Sequence, residues 1–122
     1  MSNRIIINDH MVSLNDYINA ERSNRYKAAK IKKDMTWLAS FLSGGLSIDP
    51  DGMYDVTFYH ITPDSKRDPD NLAFRSKFIL DGVVKQGKLK GDGRKNIRNI
   101  YHCFRTIKGV STIIVRFVCI KK

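Results

Sequence analysis

Apolar and polar positions alternate at both ends of this chain and recur with a helical period between them. Ile5, Ile6 and Ile7 make a short β-type run from Arg4 to Asn8, closed by Asn8, Asp9 and His10. A long helical segment follows. Ser13 and Asp16 resemble a capping box, and Ala28, Ile31, Met35, Leu38 and Leu42 recur every three or four residues up to Gly44 and Gly45. Trp37 and Phe41 are expected to widen that apolar stripe, with Lys27, Lys30 and Lys33 on other faces. After a loop rich in Gly, Asp, Ser and Pro, residues 53–62 alternate as a strand, with Val56, Phe58 and His60 on one side, and Pro63 ends it.

A second helix is expected from near Asp70 to Gln86, with Gly87 as its C-terminal glycine and Leu72, Phe74, Phe78, Ile79, Val83 and Val84 as core positions. Residues 85–98 form a connection dominated by charge and glycine. Ile97–Ile107 and Ser111–Ile120 then read as two strands of a hairpin turning at Lys108 and Gly109. The order β, long α, β, α, β, β predicts an α+β domain: a small mixed or antiparallel sheet packed with two main helices. At 122 residues the chain is one domain, spanning 1–122.

Charge narrows the partners. With 22 Lys and Arg against 12 Asp and Glu the net charge is +10, which asks for a polyanion, nucleic acid first, with an anionic membrane surface or simple solubility as blander readings. The apolar runs fall far short of the ~18 residues of a membrane span, and no secretory signal follows Met1. A soluble, cytoplasmic protein with no membrane partner is expected. Cys103 and Cys119 lack the spacing of a zinc or redox motif and are expected to be buried thiols.

Candidate chemistry lies in Lys66-Arg67-Asp68-Pro69-Asp70-Asn71. Two carboxylates two residues apart, stiffened by proline, suit a hard divalent cation that takes oxygen ligands. The plain alternative makes Asp70 a helix N-cap and Asp68 a turn residue. Two residues weigh against it. Asp92 is the sole acid among the basic residues of 85–98, and Gly91 and Gly93 beside it permit close approach to a ligand. Lys77 stands seven residues after Asp70, which on one continuous helix puts both on one face about 10 Å apart. Three carboxylates within ~4 Å would repel by roughly 4 kcal/mol per pair at an effective dielectric of 20, so a cation or a lysine must offset them. Basic surface plus a small acidic nest for Mg²⁺ is the combination of a phosphoryl-transfer enzyme acting on nucleic acid. His10, His60 and His102 show no spacing that ties them to this cluster and are expected to be structural.

The stretch RDPDNLAFRSKFILDGVVKQGKLKGDGRKNI, with SLNDYINAERSNRYKAAKIKKDM upstream, resembles the RusA family of Holliday junction resolvases in its Gram-positive and phage form. The two stretches cover about half of the chain. The resemblance implies a homodimeric endonuclease, dependent on Mg²⁺ (or Mn²⁺) and on no organic cofactor, that nicks four-way DNA junctions symmetrically in recombination and repair. Asp68 and Asp70 match the paired aspartates of the family motif, and Asp92 the third metal-binding aspartate. Lys77 matches the family's essential lysine; in some members that lysine stands where this chain has Phe74, which makes Arg75 a competing candidate. The local sequence GDGRK lacks the second acid that some members carry beside the third aspartate. Arg22, Arg25, Lys27, Lys30, Lys66, Arg67, Arg94 and Lys95 are the expected phosphate contacts. The rival readings are a non-catalytic basic nucleic-acid-binding module and a general DNA nuclease.

Overall fold

In the computed structural model, residues 2–8 and 14–121 are described, with side chains for 2–8 and 18–120. The elements are β1 (Arg4–Asn8), α1 (Leu14–Ser23), α2 (Arg25–Leu42), β2 (Met53–Thr62), α3 (Pro69–Ala73), α4 (Ser76–Lys85), β3 (Ile97–Thr106) and β4 (Thr112–Lys121). The fold is α+β, as the pattern predicts. Strands pair in the order β1-β4-β2-β3, with β4 antiparallel to both β1 and β2, and β3 parallel to β2.

That order corrects the expected hairpin. β3 and β4 do not pair, because β2 lies between them. Residues 107–111 instead pass over the end of β2, where the Ile107 N–H donates to Thr62 O at 2.9 Å. The sequence has a true turn signal at Gly109, whose φ is +77°. It is a turn between non-adjacent strands, a distinction that local pattern does not carry. Parallel pairing of β2 and β3 in turn requires a crossover, which α3, α4 and the basic connection supply.

The inner face of the sheet carries Ile5 and Ile7, Ile113, Val115 and Phe117, and Tyr54, Val56, Phe58 and His60, all buried. Met35 and Ala39 of α2 and Phe78, Ile79, Leu80 and Val83 of α4 close the same core. α2 and α4 meet closely at Gly82, where an added Cβ would lie 2.5 Å from the Ala39 Cβ and 2.7 Å from Thr36 O. Only glycine permits that approach. A bulge interrupts the β2–β3 register between Tyr54 and Asp55, leaving Arg98 as the extra residue. Its guanidinium grips Asp55 with two bonds, 3.1 and 2.8 Å long.

Three further expectations are corrected. The first long helix is two: Asn24 interrupts it in extended conformation and caps α2, its side chain accepting from the Tyr26 and Lys27 N–H groups. The capping box proposed at Ser13 and Asp16 lies outside the described side chains. Trp37 and Phe41 do not widen the apolar stripe of α2 but stand 53% and 78% exposed, because α4 already covers the stripe through Met35 and Ala39. Cys103 is half-buried and Cys119 exposed: Cys103 stands opposite Tyr59 on the outward side of the sheet, and Cys119 stands opposite Tyr54 near the end of β4.

Candidate functional site

β2 ends at Thr62, whose hydroxyl donates to Asp64 O, and a turn held by Asp64 Oδ1 and the Lys66 N–H leads into α3. Asp68 is the N-cap of α3, extended at φ −69° and ψ 149°, with Pro69 in the first helical position. This shifts the expected helix start from Asp70 back to Asp68. The Asp68 backbone oxygen receives the Asn71 and Leu72 N–H groups, while its carboxylate makes no capping bond. Asp70 falls in the first turn, where Oδ1 accepts from the Asn71 N–H at 3.0 Å. Both aspartates are exposed, and buried Leu72 anchors the turn that carries them.

The second helix is also divided. Between Ala73 and Ser76 the bonds tighten to a 3₁₀ pattern, Arg75 N to Leu72 O and Lys77 N to Phe74 O. The Leu72 carbonyl additionally accepts the Arg75 Nε–H at 3.2 Å. This tight turn breaks the regular α-helical phase assumed between Asp70 and Lys77, because a 3₁₀ turn rotates the chain further per residue.

Arg75 is buried and reaches the sheet: its NH2 lies 3.0 Å from His60 Nδ1, and His60 Nε2 lies 2.9 Å from His102 Nδ1. A guanidinium can only donate, so His60 Nδ1 accepts and Nε2 carries the hydrogen donated to His102. The rings stack, His60 on Phe104 at 5.1 Å and His102 on Phe58 at 5.2 Å. Burial, then the charges of Arg75 and His102, push the His60 pKa down to about 3, so the ring is neutral at pH 7. Burial lowers that of His102 as well. His60 and His102, which the sequence left untied to the cluster, are linked to it by Arg75, a link that spacing along the chain does not reveal. His10 lies outside the described residues.

Lys77 opens outward from α4. Its Nζ lies 3.2 Å from Asp81 Oδ1 and 3.3 Å from Asp92 Oδ2. The hydrogen bond and charge of Asp81, followed by those of Asp92, raise the Lys77 pKa, so the ammonium stays charged. Asp92 is carried by a connection pinned through buried Leu89, through the Lys90 N–H to Pro50 O, and through the Asn96 amide to Pro50 O and Gly52 O. A Lys90–Asp51 ion pair at 2.6 Å adds to it.

The structure therefore joins Lys77 to Asp92 and adds Asp81, which sequence reading did not single out. The signal was present: Lys77 and Asp81 stand four apart on a helix, the spacing of a facing pair. Among the described residues, no group of three or more His, Cys, Asp or Glu side chains is gathered to hold a metal. The donor set nevertheless fits Mg²⁺ in kind, since Asp68, Asp70 and Asp92 offer only hard oxygen ligands and Asp68 leaves its carboxylate uncommitted to the cap. Arg75, the competing candidate for the essential lysine, is buried against Leu72 and His60, whereas Lys77 is exposed beside Asp92. Arg22, Arg25, Lys27, Lys30, Lys66, Arg67, Arg94 and Lys95 are all exposed, and Lys30 also pairs with Asp34 at 2.8 Å.

No helix among the described residues is long and apolar enough to cross a membrane. No protein-family model matches the chain, and no curated protein matches it.

Proposed function

We propose that this protein is a Mg²⁺-dependent, structure-selective endodeoxyribonuclease that resolves four-way DNA junctions in the bacterial cytoplasm, as its resemblance to RusA-family resolvases implies. The observation that supports this reading most is the meeting of Lys77 with Asp92, fifteen residues apart, on the helix that continues from the Asp68-Pro69-Asp70-Asn71 turn. Asp68, Asp70 and Asp92 would hold the metal. When bound, Mg²⁺ supplies activation of a water and stabilisation of charge on a phosphodiester. The Lys77 ammonium, kept protonated by Asp81 and Asp92, brings positive charge to the scissile phosphate. Arg75 acts behind it, fixing the 3₁₀ turn that sets Lys77 relative to Asp70.

Two matched cuts in a nearly two-fold substrate call for a C₂ dimer. Ile6, Tyr101 and Val118 are exposed apolar residues on the outward side of the sheet and offer surface for such a contact. The exposed basic residues would position junction arms through phosphates without reading sequence.

One observation favours a non-catalytic binding module: Asp68 and Asp70 each serve the start of α3 through backbone bonding. Labelled four-way junction and linear duplex incubated with protein, in Mg²⁺ or EDTA, separate the readings. Nicks near the crossover only with Mg²⁺, lost in Asp70→Asn while junction binding persists, are expected. Binding with no metal-dependent cutting would establish the module. Equal cutting of junction and duplex would make the protein a general nuclease.

A further inference from the structure

Trp37 is the chain's single tryptophan, and it is 53% exposed on the side of α2 that faces away from the sheet. A single exposed indole is ordinary on a folded domain, so a role for it needs an account from its surroundings. Its neighbours supply one. Ala29, Lys32, Lys33, Thr36, Trp37 and Lys85 line a groove of about 310 Å³ between α2 and α4. The Lys85 ammonium stands 4.5 Å from the centre of the indole ring. The groove exists because Gly82 lets α4 come down on Thr36 and Ala39, which sets Lys85, one turn further on, beside Trp37. Ala29 contributes no bulk, so the ring has an open approach flanked by three cationic side chains.

A half-exposed indole that carries a lysine ammonium over one face, within a cationic groove, matches one ligand chemistry closely: an unpaired nucleotide, its base stacked on the face opposite Lys85 and its phosphates on the lysines. A duplex does not match, because its bases are already stacked within the helix. An acidic peptide would satisfy the lysines but leave the indole unused. We propose that the Trp37 groove binds a single-stranded DNA segment, with Trp37 as the stacking platform and Lys32, Lys33 and Lys85 as phosphate contacts. The groove's position relative to Lys77 strengthens this. Lys77, Asp81 and Lys85 follow one another at four-residue spacing on one face of α4, so the groove lies about 12 Å along the helix from Lys77. At the 3.4 Å rise of a stacked strand that is about three to four nucleotides. This last step rests on the nuclease reading, and the groove would then receive a strand unpaired at the branch point; the binding itself does not depend on that reading.

Because Trp37 is the only tryptophan, tryptophan fluorescence reports on this groove alone. In EDTA, which removes any cutting from the experiment, the protein is titrated with dT12, with an abasic deoxyribose-phosphate oligomer of the same length, and with a blunt 12-base-pair duplex. Saturable quenching by dT12, weak by the abasic oligomer and by the duplex, is expected. Anisotropy of labelled dT12 should show a 5- to 150-fold loss of affinity for Trp37→Leu, corresponding to the ~1–3 kcal/mol of one base stack. Lys85→Gln, which keeps the fluorophore, should weaken binding and lower the salt slope by about 1. Unchanged Trp37 fluorescence while dT12 anisotropy saturates, or equal quenching by the abasic oligomer, would overturn the proposal. Loss of junction cutting with these titrations intact would count against the nuclease reading and leave the groove standing.

Discussion

Lys77 Nζ lies 3.3 Å from Asp92 Oδ2, and the same ammonium lies 3.2 Å from Asp81 Oδ1. A lysine 64% exposed contributes little stability through such pairs, about 0–1 kcal/mol, so its position calls for a functional account. Lys77→Met should therefore leave the denaturant midpoint nearly unchanged while lowering junction cleavage by roughly 10²–10³, the size of effect that follows loss of one electrostatic stabiliser. Parallel unfolding and cleavage measurements on the variant check this. Equal losses in both would reduce Lys77 to a structural residue.

Much of this arrangement is legible in the sequence, and its limits have physical causes. Alternation in residues 53–62 and the run Ile5, Ile6, Ile7 locate two strands, because one face of each is buried and the period of two is then enforced. The Trp37 and Phe41 reading fails because periodicity shows that a residue is apolar and on a stripe, not whether the neighbouring helix is wide enough to cover it. The hairpin reading fails since Gly109 marks a turn without saying which strand fills the space between β3 and β4. At the site, Asp68, Asp70, Lys77 and Asp92 stand out by local chemistry. The line Arg75, His60 and half-buried His102 does not, because its members come from three parts of the chain and only the parallel pairing of β2 with β3 sets the histidines side by side.

Buried His60 in that line makes stability depend on pH. His60 in the unfolded chain titrates near 6.5, whereas in the folded protein its pKa is lowered to about 3. Above pH 6.5 the ring is neutral in both states. Below it the unfolded chain binds a proton that the folded protein refuses, so stability falls as pH drops from 6.5 toward 3, with a slope approaching about 1.4 kcal/mol per pH unit for this one group. Asp55, whose pKa is lowered by its bonds to Arg98, adds to the loss only below the ordinary carboxylate range near 3.8. Urea unfolding between pH 7 and 4.5 should show the histidine window alone. His60→Phe should be less stable at pH 7, with Arg75 deprived of an acceptor, yet flatter across that range; an unaltered slope would contradict the assignment.

Gly82 is expected to be the least replaceable glycine. In Gly82→Ala the new methyl group meets Thr36 O and Ser40 N at 2.7 Å and the Ala39 Cβ at 2.5 Å, against backbone that has no rotamer to change. Separation of α2 from α4 should cost about 1–3 kcal/mol or more, read as a lowered urea midpoint. The same substitution at Gly45, where nothing lies within 4 Å of the added carbon, should be close to neutral.

Binding of branched DNA should weaken steeply with salt. If six to ten of the exposed lysines and arginines contact phosphate, affinity for a four-way junction falls by roughly 10³–10⁵ between 50 and 200 mM salt. Electrophoretic shifts or anisotropy at four salt concentrations give the slope. A flat response would remove the electrostatic grip that the +10 charge implies.

Paired, metal-dependent incision of a junction should depend on Asp68, Asp70, Asp92 and Lys77. A supercoiled plasmid extruding a cruciform reads this out, since two cuts within one binding event yield linear DNA whereas independent nicks yield open circles first. With Mg²⁺ the wild-type protein should convert the plasmid to linear product with cuts at symmetric positions across the cruciform base, and Asp68→Asn should leave it supercoiled. Accumulation of open circles nicked at random, or linear product undiminished in Asp68→Asn, would rule out a paired incision that depends on these residues.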